Sequence, residues 1–170
     1  MGKKLKGYIL QIGQMVAMVV LVSWAVDKWR EPVVPVNAYF SPMHTLDGEL
    51  LDWAKISQDT TVVVYFWGSW CGVCRHTSPT IERLHQVGVK VIGVPMQSGS
   101  AAQVQTYMRQ HGWHFVNVDD VGQVLAQQWQ VKVAPTIVLI KNGKMVHHTT
   151  GLSSYWGLRG RVAWVNAWYQ

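Results

Sequence analysis

Seven consecutive residues, Thr61-Val62-Val63-Val64-Tyr65-Phe66-Trp67, are all β-branched or aromatic. A run of that kind, with no polar alternation, reads as a strand buried on both faces. Such a strand needs covering layers on either side, which restricts the chain to a layered α/β architecture. The run ends at Gly68-Ser69-Trp70, and Cys71-Gly72-Val73-Cys74 follows directly. From Cys74 the spacing turns helical, with Ile81 and Leu84 three apart on one face. The only two cysteines of the chain therefore stand where a buried strand hands over to a helix.

The rest of the chain repeats this alternation. Met43 to Leu51 reads as a small hairpin around Asp47-Gly48, the dipeptide of a type I′ turn. Val89 to Val94 is a second buried strand, and Ser98-Gly99-Ser100 offers a cap for a helix over Ala101 to Gln110, with Gly112 just past its end. Phe115 to Val118 is a short strand, and Asp119 or Asp120 caps a helix to about Trp129. Thr136 to Ile140 and Lys144 to His148 flank the hairpin signal Asn142-Gly143. Ser153 or Ser154 opens a last amphipathic helix through Trp168, on which Trp156, Trp164 and Trp168 mark a packing face or a contact with a neighbour. The order predicts a mixed central sheet with helices on both faces.

The 170 residues suffice for one domain and a short appendage. The appendage is N-terminal. Lys3, Lys4 and Lys6 precede an uncharged run over residues 8–26, long enough to span a bilayer as a helix. Gln11 and Gln14 weaken its first half; Met15 to Val22 is solidly apolar. A cleaved signal peptide would need small residues at Ser23-Trp24-Ala25, where Trp24 intrudes, and a buried core helix would need a polar face. Residues 1–7 are expected in the cytoplasm, 8–26 as a single transmembrane anchor, 27–37 as a Pro-stiffened linker and 38–170 as the globular domain outside the cytoplasm.

Half of the formal net charge of +6 sits in residues 1–36, and the basic residues beyond are scattered. That pattern gives no footprint for nucleic acid. Two cysteines are too few for a disulfide-stapled scaffold or a four-ligand zinc site, and adjacent His147 and His148 should face opposite sides of a strand. No metal and no cofactor are expected.

A redox pair fits the cysteines better. Free N–H groups and the positive dipole end at a helix start stabilise a thiolate at Cys71. One helical turn later, Cys74 is within reach of a mixed disulfide on Cys71 and can resolve it as a Cys71–Cys74 disulfide. Cys71 should be the attacker and Cys74 the more buried partner.

The whole context resembles the thioredoxin superfamily. Phe66-Trp67-Gly68-Ser69-Trp70-Cys71-Gly72-Val73-Cys74-Arg75 looks like its active-site signature, Pro79 like the proline of its active-site helix, and Val133-Ala134-Pro135-Thr136 like its cis-proline loop. The likeness runs from about Tyr39 to Trp168. It implies a thioredoxin fold with a leading hairpin and a substrate groove formed by the Ala134 backbone, Pro135 and the flanking Trp70. The hairpin, the tether and a Cys71-to-Pro135 separation longer than in plain thioredoxin resemble the membrane-anchored group that includes the cytochrome c maturation thioredoxins. Within it the chain resembles the copper-sensitivity suppressor proteins. The sequence departs from the family where Tyr65 replaces a buried acid, Thr77 replaces a Glu of some tethered relatives, and Val73 replaces the usual Pro. His76 points away from Cys74 on a helix and is expected as a solvated surface residue.

These readings predict a thiol–disulfide oxidoreductase of the inner membrane, single-pass, its catalytic domain facing the periplasm or cell exterior. It would act on protein thiols and disulfides as a reductant, take electrons from an integral-membrane donor, and be monomeric in its domain. A disulfide oxidant or isomerase, and a copper-binding metallochaperone using the two thiols, are the alternatives.

Overall fold

The structure, a computed structural model of the chain, describes residues 2–30, 32, 43–120 and 122–169. The chain divides into two units, Met1–Glu31 and Pro32–Gln170. The first is helix α1, Gly2–Arg30, whose apolar side chains Leu10, Ile12, Met15, Val16 and Val19 to Val22 are exposed. Among the described residues no helix is long and apolar enough to cross a membrane. The expected span over 8–26 includes Ile9, whose side chain lies outside the described residues, as does most of the expected linker.

The second unit begins with strands β1 (Met43–His44) and β2 (Leu50–Leu51), which pair as the expected hairpin. Its turn is not type I′. Gly48 alone has positive φ (+84°), and its N–H donates to the Thr45 carbonyl at 2.9 Å, so a longer loop closes around one glycine. A short helix that no periodicity announced, α2 (Trp53–Ser57), follows, with Asp52 accepting from the Lys55 N–H as its cap.

The main sheet has the order β5-β4-β3-β6-β7, built from β3 (Val62–Trp67), β4 (Lys90–Pro95), β5 (Val116–Asn117), β6 (Thr136–Lys141) and β7 (Lys144–Thr150). Central β3 runs parallel to β4 and antiparallel to β6. All six of its side chains are buried, as the unbroken apolar run required. Val63, Tyr65 and Trp67 pack on one face with Ile81 and Leu84 of α3 (Gly72–Gln86) and Leu158 and Val162 of α6 (Tyr155–Trp168). Val62, Val64 and Phe66 pack on the other with Trp53 and with Leu125 of α5 (Val124–Gln128). Asn142 (φ +51°) and Gly143 (φ +69°) both take the left-handed region, which a type I′ turn needs, and both N–H groups donate to Ser57.

Helix α4 (Ala101–His111) is capped from the expected Ser98-Gly99-Ser100 stretch, and the cap is reciprocal: Ser100 accepts from the Gln103 N–H, and the Gln103 side chain accepts from the Ser100 N–H. Helix α5 starts later than expected, because Asp120 reaches forward to the N–H groups of Leu125 and Ala126 at 3.0 and 3.3 Å across an intervening loop. In α6 the buried face is Tyr155, Leu158, Val162 and Val165. Trp156, Trp164 and Trp168 are exposed, which removes the packing-face reading of these tryptophans.

Candidate active site

Strand β3 ends at Trp67, in the middle of the sheet, and Gly68 to Trp70 turn the chain into α3. Gly68 is glycine because a Cβ there would lie 2.6 Å from the Trp70 indole. The indole is held in place by its own N–H, which donates to the Met96 carbonyl at 2.9 Å, while 58% of the residue stays exposed. Ser98 ties the same turn down by accepting from the Ser69 N–H at 3.0 Å. The sequence reading did not single out Met96 and took Ser98 only as part of a helix cap. They lie beyond β4, and nothing local to them signals contact with the cysteine turn.

Cys71 is the N-cap of α3 and is joined to Cys74 in a disulfide with a Cα–Cα distance of 5.2 Å. The Cys71 sulfur accepts from the Cys74 N–H at 3.1 Å, one of the helix-start donors that lack an internal partner. It also lies 3.5 Å from the Ala134 carbonyl oxygen. Ala134 and Pro135 are linked by a cis peptide bond. The fold thus brings together Trp70, Cys71, Cys74, Ala134 and Pro135, the five site residues expected from sequence. Both cysteines are buried, Cys74 more deeply at 1% against 6%.

Beneath the pair stands Tyr65, wholly buried, where an acid would occupy the strand in thioredoxin. Its hydroxyl donates to the Cys74 carbonyl at 3.3 Å and shares a hydrogen bond of 3.0 Å with Ser78. Burial drives the Tyr65 phenol far above its ordinary value of 10.0. The group is neutral at any working pH and cannot act as a base. Thr77 is also buried and donates to the Val73 carbonyl inside the helix. His76 is exposed, as expected.

His147 pairs with Leu139 and His148 with Val138, so the two lie on opposite faces of β7, as expected. The register slips beyond them, between Leu139 and Ile140, and the two rings lie 6.4 Å apart centroid to centroid. Burial first, then the Arg161 guanidinium and His148, push the His147 imidazole below its ordinary value. A cation placed there would meet the same repulsion from Arg161. Among the described residues no three His, Cys, Asp or Glu side chains converge to hold a metal ion.

The thioredoxin family model matches residues 49–162. A Haemophilus influenzae "thioredoxin-like protein" is 40% identical over 84% of this chain and 86% of its own length. A thiol:disulfide interchange protein DsbE from Pseudomonas aeruginosa is 28% identical over 51% of this chain and 48% of its own. Among solved structures, a secreted Mycobacterium tuberculosis disulfide oxidoreductase superposes with a TM-score of 0.64 at 24% identity, covering 75% of this chain and 97% of that one.

Proposed function

This chain belongs to the thioredoxin family and is a thioredoxin-like thiol–disulfide oxidoreductase; on that footing we propose that it works as a membrane-tethered reductant of exported proteins. The observation that carries the reading is the position of Cys71, capping α3 with its sulfur beside the Ala134 carbonyl and Cys74 buried behind it.

In the reduced enzyme, the Cys71 thiolate attacks one sulfur of a client disulfide. That S–S bond breaks, a mixed disulfide forms, and the other client sulfur leaves as a thiolate. No carboxylate stands at the positions where relatives place one, so the departing client thiolate is the base closest to hand. It takes the proton of Cys74, directly or through water, and the new Cys74 thiolate attacks Cys71. The Cys71–Cys74 bond forms, the second client sulfur leaves and picks up a proton from solvent, and two electrons have passed to the client. The client segment lies extended beside Ala134 and Pro135, pairing with the Ala134 backbone as an added strand, with Trp70 as the flanking wall.

Three features favour the reductive direction. Between Cys71 and Pro135 the described residues form α3, β4, α4, β5 and α5, with no large helical cap among them to grip unfolded clients. The basic N-terminus ahead of an uncharged run orients a tether with residues 27–170 outside the cytoplasm. Two cysteines make a single pair, so the spent disulfide needs an external dithiol, and an integral-membrane donor would stand beside the tether. Clients connected with copper tolerance are the finer reading that the family likeness suggests. The test is the reduction potential of the Cys71–Cys74 couple. A value near the −270 mV of thioredoxin, taken as about that figure, supports the proposal; one near about −120 mV, that of the DsbA oxidant, overturns it.

A further inference from the structure

Beyond the cysteine pair along α3, that helix, the end of β7 and the start of α6 line an open cavity of about 520 Å³. His76 and Thr80 line it from α3, Thr149 from β7, and Ser154 and Arg161 from the α6 side, with Leu152 as an exposed apolar lip. The cavity adjoins the client platform. His76 follows Cys74 by two positions. Thr150 pairs with Thr136, and the Gly151 N–H donates to the Pro135 carbonyl at 2.9 Å, so the end of β7 is held against the Pro135 loop just before it enters the cavity wall at Leu152.

The charge of this wall is one-sided. Residues 60–81 and 121–170 contain no Asp or Glu, and every residue of the platform and the cavity falls in those two stretches. Arg161 is exposed, and among the described residues no carboxylate pairs with it. Glu82, just beyond the first stretch, is already engaged by His114, Gln86 and Phe115. The neighbouring polar groups are the His76 imidazole and hydroxyls. Ser154 accepts from the Gly157 N–H at 3.2 Å, which leaves its own proton to donate. An arginine held open beside hydroxyl donors, with no carboxylate in reach, complements an anion.

We propose that this cavity is a specificity subsite which takes an Asp or Glu side chain of the client, close in sequence to the client's reactive cysteine, with Arg161 supplying the countercharge. The proposal rests on the exchange reading above and narrows its substrate class to disulfides flanked by acidic residues. Backbone pairing along Ala134 is indifferent to sequence, so a side-chain subsite of this kind is what would let the enzyme choose among clients.

The test uses the full-length reduced protein in detergent and a series of peptide disulfides that carry Glu, Gln or Lys one to four positions from the cysteine. At low salt the Glu peptides should exceed the Lys peptides in kcat/KM by about threefold to fivefold, the scale of a partly exposed ion pair. The difference should lie in KM and shrink as salt rises. Arg161→Glu should invert the Glu-to-Lys ratio, whereas Lys144→Glu, an equal charge change on the β6–β7 hairpin, should leave the ratio at its wild-type value. Equal rates across the series, or a ratio that survives Arg161→Glu, overturns the subsite. So does a ratio lost as fully in Lys144→Glu, since the effect would then be net charge alone. Exchange with no peptide of the series overturns the exchange reading itself, a result distinct from exchange without preference.

Discussion

The two cysteines differ in what each can do because they occupy different places in one turn of helix. Cys71 is a cap, and its sulfur is where the backbone donor of Cys74 points. Serine at that position is itself a good cap. Cys71→Ser is therefore expected to keep α3 and the fold while abolishing exchange, which a circular dichroism melt and an insulin-type reduction assay would separate. Cys74→Ser leaves the attacker in place and removes the resolver, so client proteins should accumulate as mixed disulfides on Cys71, visible on non-reducing gels. Trapping by the Cys71 variant instead would reverse the two roles. The position of the pair was legible in sequence because strand, cysteines and helix are contiguous there. What lies under it was not: Tyr65 was visible as a missing acid, but its hydrogen bonds to Ser78 and the Cys74 carbonyl depend on how α3 crosses β3.

Helix α3 is fastened to the sheet at its far end by one carboxylate. Glu82 accepts from the backbone N–H groups of His114 and Phe115 at 2.7 and 3.2 Å, from the His114 imidazole at 3.2 Å and from Gln86 at 3.1 Å. Burial pushes the Glu82 carboxyl up, but these hydrogen bonds together outweigh it and hold the group below its ordinary value of 4.5. A carboxyl depressed in the folded state binds its proton more tightly when unfolded. Its stabilisation is thus complete above about 4.5 and is lost as pH falls through the lower folded value. Glu82→Gln turns an amide N–H₂ toward donors that need acceptors. It should lower stability at pH 7 by about 2 kcal/mol, the cost of a buried donor left unpaired. Urea unfolding at pH 7 and pH 3 should show the wild type losing more stability on acidification than the variant; equal losses would mean another group carries the pH dependence. Element order was readable because strands and helices here differ in period. The misread pieces are those where a distant partner decides: α5 starts where Asp120 reaches it, the first hairpin closes around Gly48 alone, and five-residue α2 is too short to show a period.

At the scale of the whole chain, two units that differ in where their apolar side chains lie share one polypeptide. The second has its own two-sided core around β3 and a polar exterior broken by a few tryptophans. The first shows no such core among its described residues: Leu10, Ile12, Met15, Val19, Val20, Leu21 and Val22 all lie exposed on α1. Leaving side chains of that size in water costs about 1.5 to 3 kcal/mol each relative to burial. We propose that an apolar medium meets this surface, and Lys3, Lys4 and Lys6 ahead of the run would set the direction in which it enters one. We expect the full chain to fractionate with membranes, to resist extraction by carbonate, and to keep residues 1–31 in its mature form. A chain beginning at Pro32 should be soluble and retain exchange on peptide disulfides, while losing recharging by a membrane-embedded dithiol donor, because confinement to the bilayer surface raises the effective concentration of the two partners. A mature protein whose N-terminal sequence begins near residue 26 would replace the tether with a cleaved leader and free the enzyme to diffuse. Retention of recharging by the Pro32 form at the full rate would remove the tether from the electron path and leave it as an address alone.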